Sequence, residues 1–314
     1  MTLSKSFKRT FKTFTKASFW EKFFYIAIGI IILVIINNSL NKYNNIEGFE
    51  QSSEFVVKKG PEIYDDFYVE IYDDLVLNNS KNNFEIGSII NSTKPSNKSM
   101  ILDIGSGTGH HVKGFSNAGY NIQGIDISPS MVKISQNNYP KLNYQVVDAL
   151  KPMSFSPSSF THITCLYFTI YYIKDKHTFF QNCFNWLLPG GYIAIHLVDK
   201  DNFDPIIPAG DPFTLVSPQK YTKKRITSTV VKFDQFEYKS NFEVLPKDTG
   251  AIMYETFKDN KNGAIRKNEH KFFMPSQKNI LSTAKDVGFI LLSKIDMIKC
   301  QYAHQYIYIL QKPN

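Results

Sequence analysis

One short run constrains this chain more than any other: an apolar strand that breaks into alternating glycines. Met100-Ile-Leu-Asp-Ile-Gly-Ser-Gly-Thr-Gly109 passes through an acid, Asp103, and then carries glycine at 105, 107 and 109. The pattern predicts a buried parallel strand that turns tightly into a helix. Glycine lets backbone approach a ligand where a Cβ would collide, and the first amides of the next helix point unpaired N–H groups at it. A tight turn accounts for one glycine, whereas three at alternate positions point to a loop that cradles a ligand. The dinucleotide fingerprint Gly-x-Gly-x-x-Gly fails here, because its third glycine falls on His110.

From Met100 onward predicted strands and helices alternate, as in a parallel sheet covered on both faces. A helix is expected over about 110–118, a second strand over Ile122–Asp126, a third ending near Asp148 and a fourth over His162–Leu166. A helix over about 175–187 then leads to Leu188-Pro-Gly-Gly191, whose glycines are expected to stop it before a fifth strand. Ala284–Phe289 precedes a sixth strand, and Gln305–Leu310 makes the last. Three acids, Asp103, Asp126 and Asp148, close successive strands at the carboxyl edge, where open α/β sheets bind ligands.

Asp103-x-Gly105-x-Gly107-x-Gly109 resembles the first motif of the class I S-adenosylmethionine (SAM) methyltransferases. The resemblance covers about 62–198 and 276–312, and implies an α/β, Rossmann-like sheet of seven strands with the last antiparallel, and SAM as cofactor. It implies that Asp103, Gly105, Ser106, Gly107 and Gly109 surround the methionine portion of SAM and that Asp126 accepts the ribose hydroxyls. Ile127-Ser-Pro-Ser-Met131 resembles the family's D-x-S-x-x-M segment, which puts Ile127 and Met131 beside adenine. Asp148 is implied to accept the adenine amino group, with Ala149 and Leu166 completing the cofactor set. Phe160-Thr161 departs from the family's usual Phe-Asp. Tyr68-Val-Glu-Ile-Tyr72-Asp73, on a helix expected from Pro61, resembles a segment laid over the SAM loop, which brings Tyr72 to the cofactor.

Residues 199–275 read as an insertion. Ser228–Phe233, Phe236–Val244, Ile252–Phe257 and Ala264–Phe273 alternate with period two, the mark of antiparallel strands. Arg266-Lys-Asn-Glu269-His270 resembles a strand of the substrate lid in glycine and nucleotide-sugar N-methyltransferase relatives. His270 and Tyr172 are the expected catalytic residues, although an ordinary polar strand histidine fits position 270 equally well. SAM carries an electrophilic methyl group, so the protein must exclude water and hold the acceptor about 3–3.5 Å from it and in line. An unprotonated amine attacks unaided, whereas an alcohol or phenol needs a base such as His270 or a tyrosinate.

The net charge of +8 is concentrated in residues 1–22, where six bases face one acid. The near-neutral remainder argues against a nucleic-acid surface. Residues 23–36 are uninterruptedly apolar, and with Trp20 and Leu40 as extensions they read as a single membrane anchor over 23–40. A linker is expected over 41–61 and the methyltransferase domain over 62–314. The basic start also fits an organelle presequence, so the membrane is left open. The expected function is methyl transfer to an N or O atom of a small molecule. The alternative is a membrane-bound, methyltransferase-like assembly factor without activity.

Overall fold

The computed structural model describes residues 55–205, 222, 225–246 and 250–314, together with positions 18, 20–23, 25, 27 and 28. Ser18 and Glu21 form a capping box: Glu21 Oε2 accepts from Ser18 N at 2.8 Å and Ser18 Oγ from Glu21 N at 3.4 Å. Most of the basic segment 1–22 and of the anchor expected over 23–40 lies outside the described residues. Among the described residues no helix is long and apolar enough to cross a membrane. Contacts divide the chain after Glu50, and both sheets among the described residues belong to the unit Gln51–Asn314.

In chain order the strands of this second unit are β1 (Phe55–Lys59), β2 (Met100–Ile104), β3 (Asn121–Asp126), β4 (Asn143–Val146), β5 (Phe160–Cys165) and β6 (Leu187–Val198), then β7 (Ser228–Lys232), β8 (Phe236–Val244), β9 (Ala251–Asp259), β10 (Ile265–Phe272), β11 (Ile290–Asp296) and β12 (Gln305–Gln311). The helices are α1 (Asp66–Val76), α2 (Asn79–Thr93), α3 (His110–Asn117), α4 (Pro129–Asn138), α5 (Thr169–Tyr172), α6 (Lys176–Trp186) and α7 (Gln277–Val287).

Seven strands form one sheet in the order β11-β12-β6-β5-β2-β3-β4. β12 runs antiparallel to both its neighbours, and the pairs from β6 to β4 are parallel. This is the expected seven-stranded class with its last strand reversed. Parallel strands need both faces covered, and the covering is aromatic. Phe179, Phe180 and Trp186 of α6 are buried in the larger core with Ile163, Ile193 and Ile195, while Phe115 of α3 is buried with Ile101 and Ile309 in the other. Truncating Phe180 to Ala would cost about 3–5 kcal/mol, the usual range for a buried aromatic.

The insertion forms a second sheet, ordered β1-β10-β9-β8-β7. The four antiparallel strands lie close to the runs read from alternation, and residues 206–221, 223–224 and 247–249 of the insertion are outside the described residues. β1 corrects the linker expected over 41–61, because Phe55–Lys59 pairs parallel with β10, Phe55 beside Ile265 and Lys59 beside Glu269. Such a strand is specified by an edge some two hundred residues away, not by its own sequence. The helix expected from Pro61 is also shifted. Gly60–Ile63 is a 3₁₀ turn, and α1 starts at Asp66 because Asp65 caps it, accepting from Tyr68 N at 3.2 Å. At the other landmark α6 stops at Trp186, so Leu187–Gly191 already belongs to β6.

Candidate active site

A cavity of about 590 Å³ opens along the carboxyl edge of the large sheet and is roofed by α1 and the smaller sheet. Its floor begins at β2. Asp103 is buried at the strand end and accepts from Thr164 Oγ1 at 2.7 Å across the β2–β5 pair. Burial pushes its carboxyl up to about 6, against the lowering pull of His111 and the Thr164 hydrogen bond. The next residues fold back on β3, Gly105 N and Ser106 N both donating to Ile125 O at 2.8 and 2.9 Å. Gly105 has φ +72°, and a Cβ there would come within 2.5 Å of Thr169, so both backbone and space require glycine.

Asp126, at the end of β3, receives Gly107 N on one carboxylate oxygen at 3.0 Å and Ser128 N on the other at 2.9 Å. Burial raises its carboxyl, and those backbone donors oppose the rise. Ile127, Met131, Asp148, Ala149, Leu166 and Tyr72 line the same cavity, as do Ser106, His270 and Tyr172. Gly109 is the exception among the residues assigned from the sequence. It is not among the residues lining the cavity; its φ is +92°, and a Cβ there would approach the Tyr144 hydroxyl to 2.6 Å at the start of α3.

α1 is fastened over this floor. Asp73 accepts from Thr108 Oγ1 at 2.7 Å and pairs with His110 Nε2 at 2.7 Å, while Ser128 Oγ donates to Tyr64 O at 2.7 Å. His110, which breaks the dinucleotide fingerprint, is therefore a strap between the loop and α1. Behind the loop, Glu85 of α2 is buried against Lys81 at 2.9 Å and His111 at 2.7 Å. Burial alone would raise that carboxyl, but Lys81 and His111 hold it down to about 2.

The lid closes the other half. Arg266 is fully buried; its guanidinium holds both Asp65 oxygens at 2.8 and 2.9 Å, donates to Ile63 O at 2.9 Å and lies over the Phe67 ring. This clamp ties β10 to the start of α1. His270 is only 1% exposed, with Nε2 at 2.7 Å from Glu255 Oε2 and Nδ1 at 2.7 Å from the Tyr172 hydroxyl. The Tyr64 hydroxyl donates to Tyr172 at 2.8 Å. Glu255 also accepts from Tyr68 at 3.0 Å, Tyr238 at 2.8 Å and Asn268 at 3.0 Å. Burial raises Glu255, but His270, Asn268 and Tyr238 outweigh it and leave the carboxyl below its ordinary range.

Neither Glu255 nor Tyr64 was assigned a role from sequence. A signal existed for the first: Ala251, Met253, Glu255 and Phe257 share one face of β9, and an acid between apolar neighbours on that face needs partners. Tyr64 had none, since it sits in the 3₁₀ turn's cap, outside any periodic segment.

Residues 102–195 match the family model described as a methyltransferase domain. This stretch is similar to a methyltransferase domain, and the sheet that contains it has the fold of SAM-dependent methyltransferases. Over 116 residues the chain is 23% identical to a ubiquinone biosynthesis O-methyltransferase from Ralstonia nicotianae, covering 36% of this chain and 48% of that one. The chain thus spans about half the length of the curated relatives it matches. A SAM-dependent methyltransferase structure from Clostridium acetobutylicum superposes with a TM-score of 0.59 at 17% identity, over 79% of this chain and 98% of that one. An amino pentose methyltransferase from Micromonospora echinaspora, solved with SAM bound, gives 0.53 at 13% identity, over 74% and 91%. At these identities the two structures speak for the fold of the methyltransferase domain.

The residues of the cavity fit SAM. The loop floor is bare backbone where Gly105 and Gly107 stand, and Ser106 Oγ is buried without a hydrogen-bond partner among the described residues. Asp126 is a carboxylate held by two backbone donors at a strand end, the arrangement that receives ribose hydroxyls in such sheets.

Proposed function

We propose that this protein transfers the SAM methyl group to an N or O atom of a small molecule, with the cofactor on the large sheet and the acceptor under the smaller one. One observation carries this reading: the strand-end acids Asp103, Asp126 and Asp148 open into the same cavity as His270 and Tyr172. In this reading Asp126 takes the ribose hydroxyls, Asp148 the adenine amino group and Asp103 the ammonium of the methionine portion. The bound cofactor supplies a methyl group on a sulfonium. The protein's own work is to orient the acceptor, exclude water and, for a hydroxyl, hold the proton that leaves it. The relatives include both an O-methyltransferase and an amino pentose methyltransferase, which supports an acceptor of either kind.

Calorimetry with SAM and its demethylated product, followed by a tritiated-methyl screen over metabolite pools, tests the proposal. Binding of both with transfer to a small molecule is the expected result. Binding with no transfer to any pool supports the inactive assembly factor, and failure to bind overturns the cofactor site. We propose further that residues 23–40 anchor the protein as a single-pass segment, a reading supported by the apolar run and its basic flank. Release of the full chain from membranes by alkaline carbonate would remove it.

A further inference from the structure

Glu255 does not line the cavity, yet it is heavily bonded beside it. Four donors, from Tyr68, Tyr238, Asn268 and His270, occupy its two oxygens. A carboxylate only accepts, so His270 Nε2 must carry the hydrogen in that contact. In the neutral ring Nδ1 is then the acceptor. It faces the Tyr172 hydroxyl, which itself receives the Tyr64 proton. Donor and acceptor roles therefore run in one direction, from Tyr64 through Tyr172 to His270, with Glu255 fixing the sense. Burial raises the phenols of Tyr64 and Tyr172 well above their ordinary range, which disqualifies a tyrosinate and leaves the imidazole as the base.

The wall that continues from this relay is aromatic. Phe168 contacts Phe203 and Phe272 with ring centroids 5.6 and 5.4 Å apart, Phe203 contacts Phe242 at 5.2 Å, and Tyr172 contacts Phe272 at 5.0 Å. Asp204 lines the cavity beside Phe203, and the two acids of the smaller sheet near the relay are engaged, Glu255 by its four donors and Glu269 by Lys59 at 2.7 Å. A cationic ammonium would find no spare carboxylate in either of these, whereas a flat neutral ring bearing a hydroxyl matches both the wall and the base.

Resting on the methyl-transfer reading above, we propose that the acceptor is a neutral aromatic alcohol, deprotonated through Tyr172 to His270, and that Glu255 is the positioning residue that keeps His270 in the accepting tautomer. The acceptor's O–H proton passes to Tyr172 Oη as the Tyr172 proton passes to His270 Nδ1. The acceptor oxygen uses the freed electron pair to bond the methyl carbon as the carbon–sulfur bond breaks, and that bond's pair stays on sulfur. The products are the aryl methyl ether, the neutral thioether form of the cofactor and an imidazolium beside Glu255, which afterwards returns its proton to water. One proton is released per methyl group transferred.

The test uses the full chain, 4-nitrophenol as probe and the demethylated cofactor in place of SAM, so that no turnover intervenes. In the wild type the bound probe shows its yellow phenolate band at a pH where the free probe is largely colourless. Glu255→Gln removes the negative charge beside Nε2, so the imidazolium that must accompany a bound phenolate is no longer stabilised and the probe binds colourless, as it does in His270→Asn. With SAM present, Glu255→Gln lowers kcat at least a hundredfold on unsubstituted phenol and less than tenfold on 4-nitrophenol at a pH where that probe is already ionised. Should Glu255→Gln fail to fold, His270→Asn carries both readouts and Glu255→Asp is expected to recover part of the band. Equal losses on the two phenols, a colourless probe in the wild type, or binding of benzylamine in preference to either phenol overturns the inference. SAM affinity, measured alongside in each variant, stays within about twofold; its absence in the wild type would instead defeat the cofactor assignment.

Discussion

The two halves of the cavity are built in opposite ways. The cofactor half comes from a nearly continuous stretch, Asp103 to Ala149, in which each strand delivers one acid to the sheet edge. The acceptor half draws Tyr64 and Tyr68 from the amino-terminal side, Tyr172 from the middle and Glu255 and His270 from the insertion. The first is positioned by local backbone, the second by a clamp between distant segments. The lesson is mechanical: damage to the clamp should disorganise the acceptor half while the Gly-rich loop keeps its shape.

The largest effect expected from that contrast is at Arg266. Arg266→Ala removes the Nη1 donor to both Asp65 oxygens and the Nη2 donor to Ile63 O, and should cost about 3 kcal/mol, near the lower end of the range for breaking a buried pair because Asp65 is partly exposed. Urea unfolding would show the loss, and hydrogen exchange should rise in β1, β10 and the start of α1 but not in β2 or α3. Uniform exchange across both sheets would break the comparison.

Asp126→Ala comes next, and tests the cofactor half alone. Losing a charged acceptor for the ribose hydroxyls should weaken SAM binding by about 1.5–3 kcal/mol, more than tenfold. Calorimetry should find 4-nitrophenol binding to the variant little changed; an Asp126 variant with wild-type SAM affinity would remove that residue from the site.

A pH dependence sharpens the same half. In the proposed placement the Asp103 carboxylate, pushed by burial up to about 6, attracts the cofactor's ammonium above that pH, and as pH falls through 6 it takes a proton and the attraction goes. SAM affinity should therefore fall by up to about tenfold per pH unit below 6, or roughly 1.4 kcal/mol. Asp103→Asn should flatten the profile. An unchanged slope in that variant would assign the titration elsewhere.

The smallest expected effect is at Ser128, whose hydroxyl caps α4 by accepting from Met131 N at 3.1 Å and also donates to Tyr64 O. Ser128→Ala should cost about 1 kcal/mol of stability, the usual worth of a cap. Because the same hydroxyl touches Tyr64, a drop in turnover larger than the drop in SAM affinity would show that the two halves communicate through it.

Most of the residues that gather at the sheet-edge end of the cavity were legible in the chain itself. The acids at 103 and 126, the acid at 148 just past β4 and the glycines at 105 and 107 declare themselves because their spacing follows the repeat of strand, loop and helix. At Gly109, as at Gly105, a Cβ would strike a neighbouring side chain, Tyr144 in the one case and Thr169 in the other, so packing and ligand approach leave the same mark in the sequence. α2 escaped notice for a different reason. Its Asn-rich sequence has a weak apolar stripe, and the helix is secured by its Asn78 cap and by Glu85 beneath Lys81 and His111.

What the chain determined alone is therefore everything carried by short-range pattern: the alternation of strands and helices, the loop that needs glycine at 105, the acids at the sheet edge and the alternating strands of the lid. Only the tertiary structure decided that Phe55–Lys59 is a strand, that Arg266 reaches back to Asp65, and that Glu255, His270, Tyr172 and Tyr64 form one directed chain of hydrogen bonds. The reason is physical. Periodicity reports which face of an element is buried, but the partner of a buried polar atom is chosen by whichever distant segment brings a complementary group within about 3 Å.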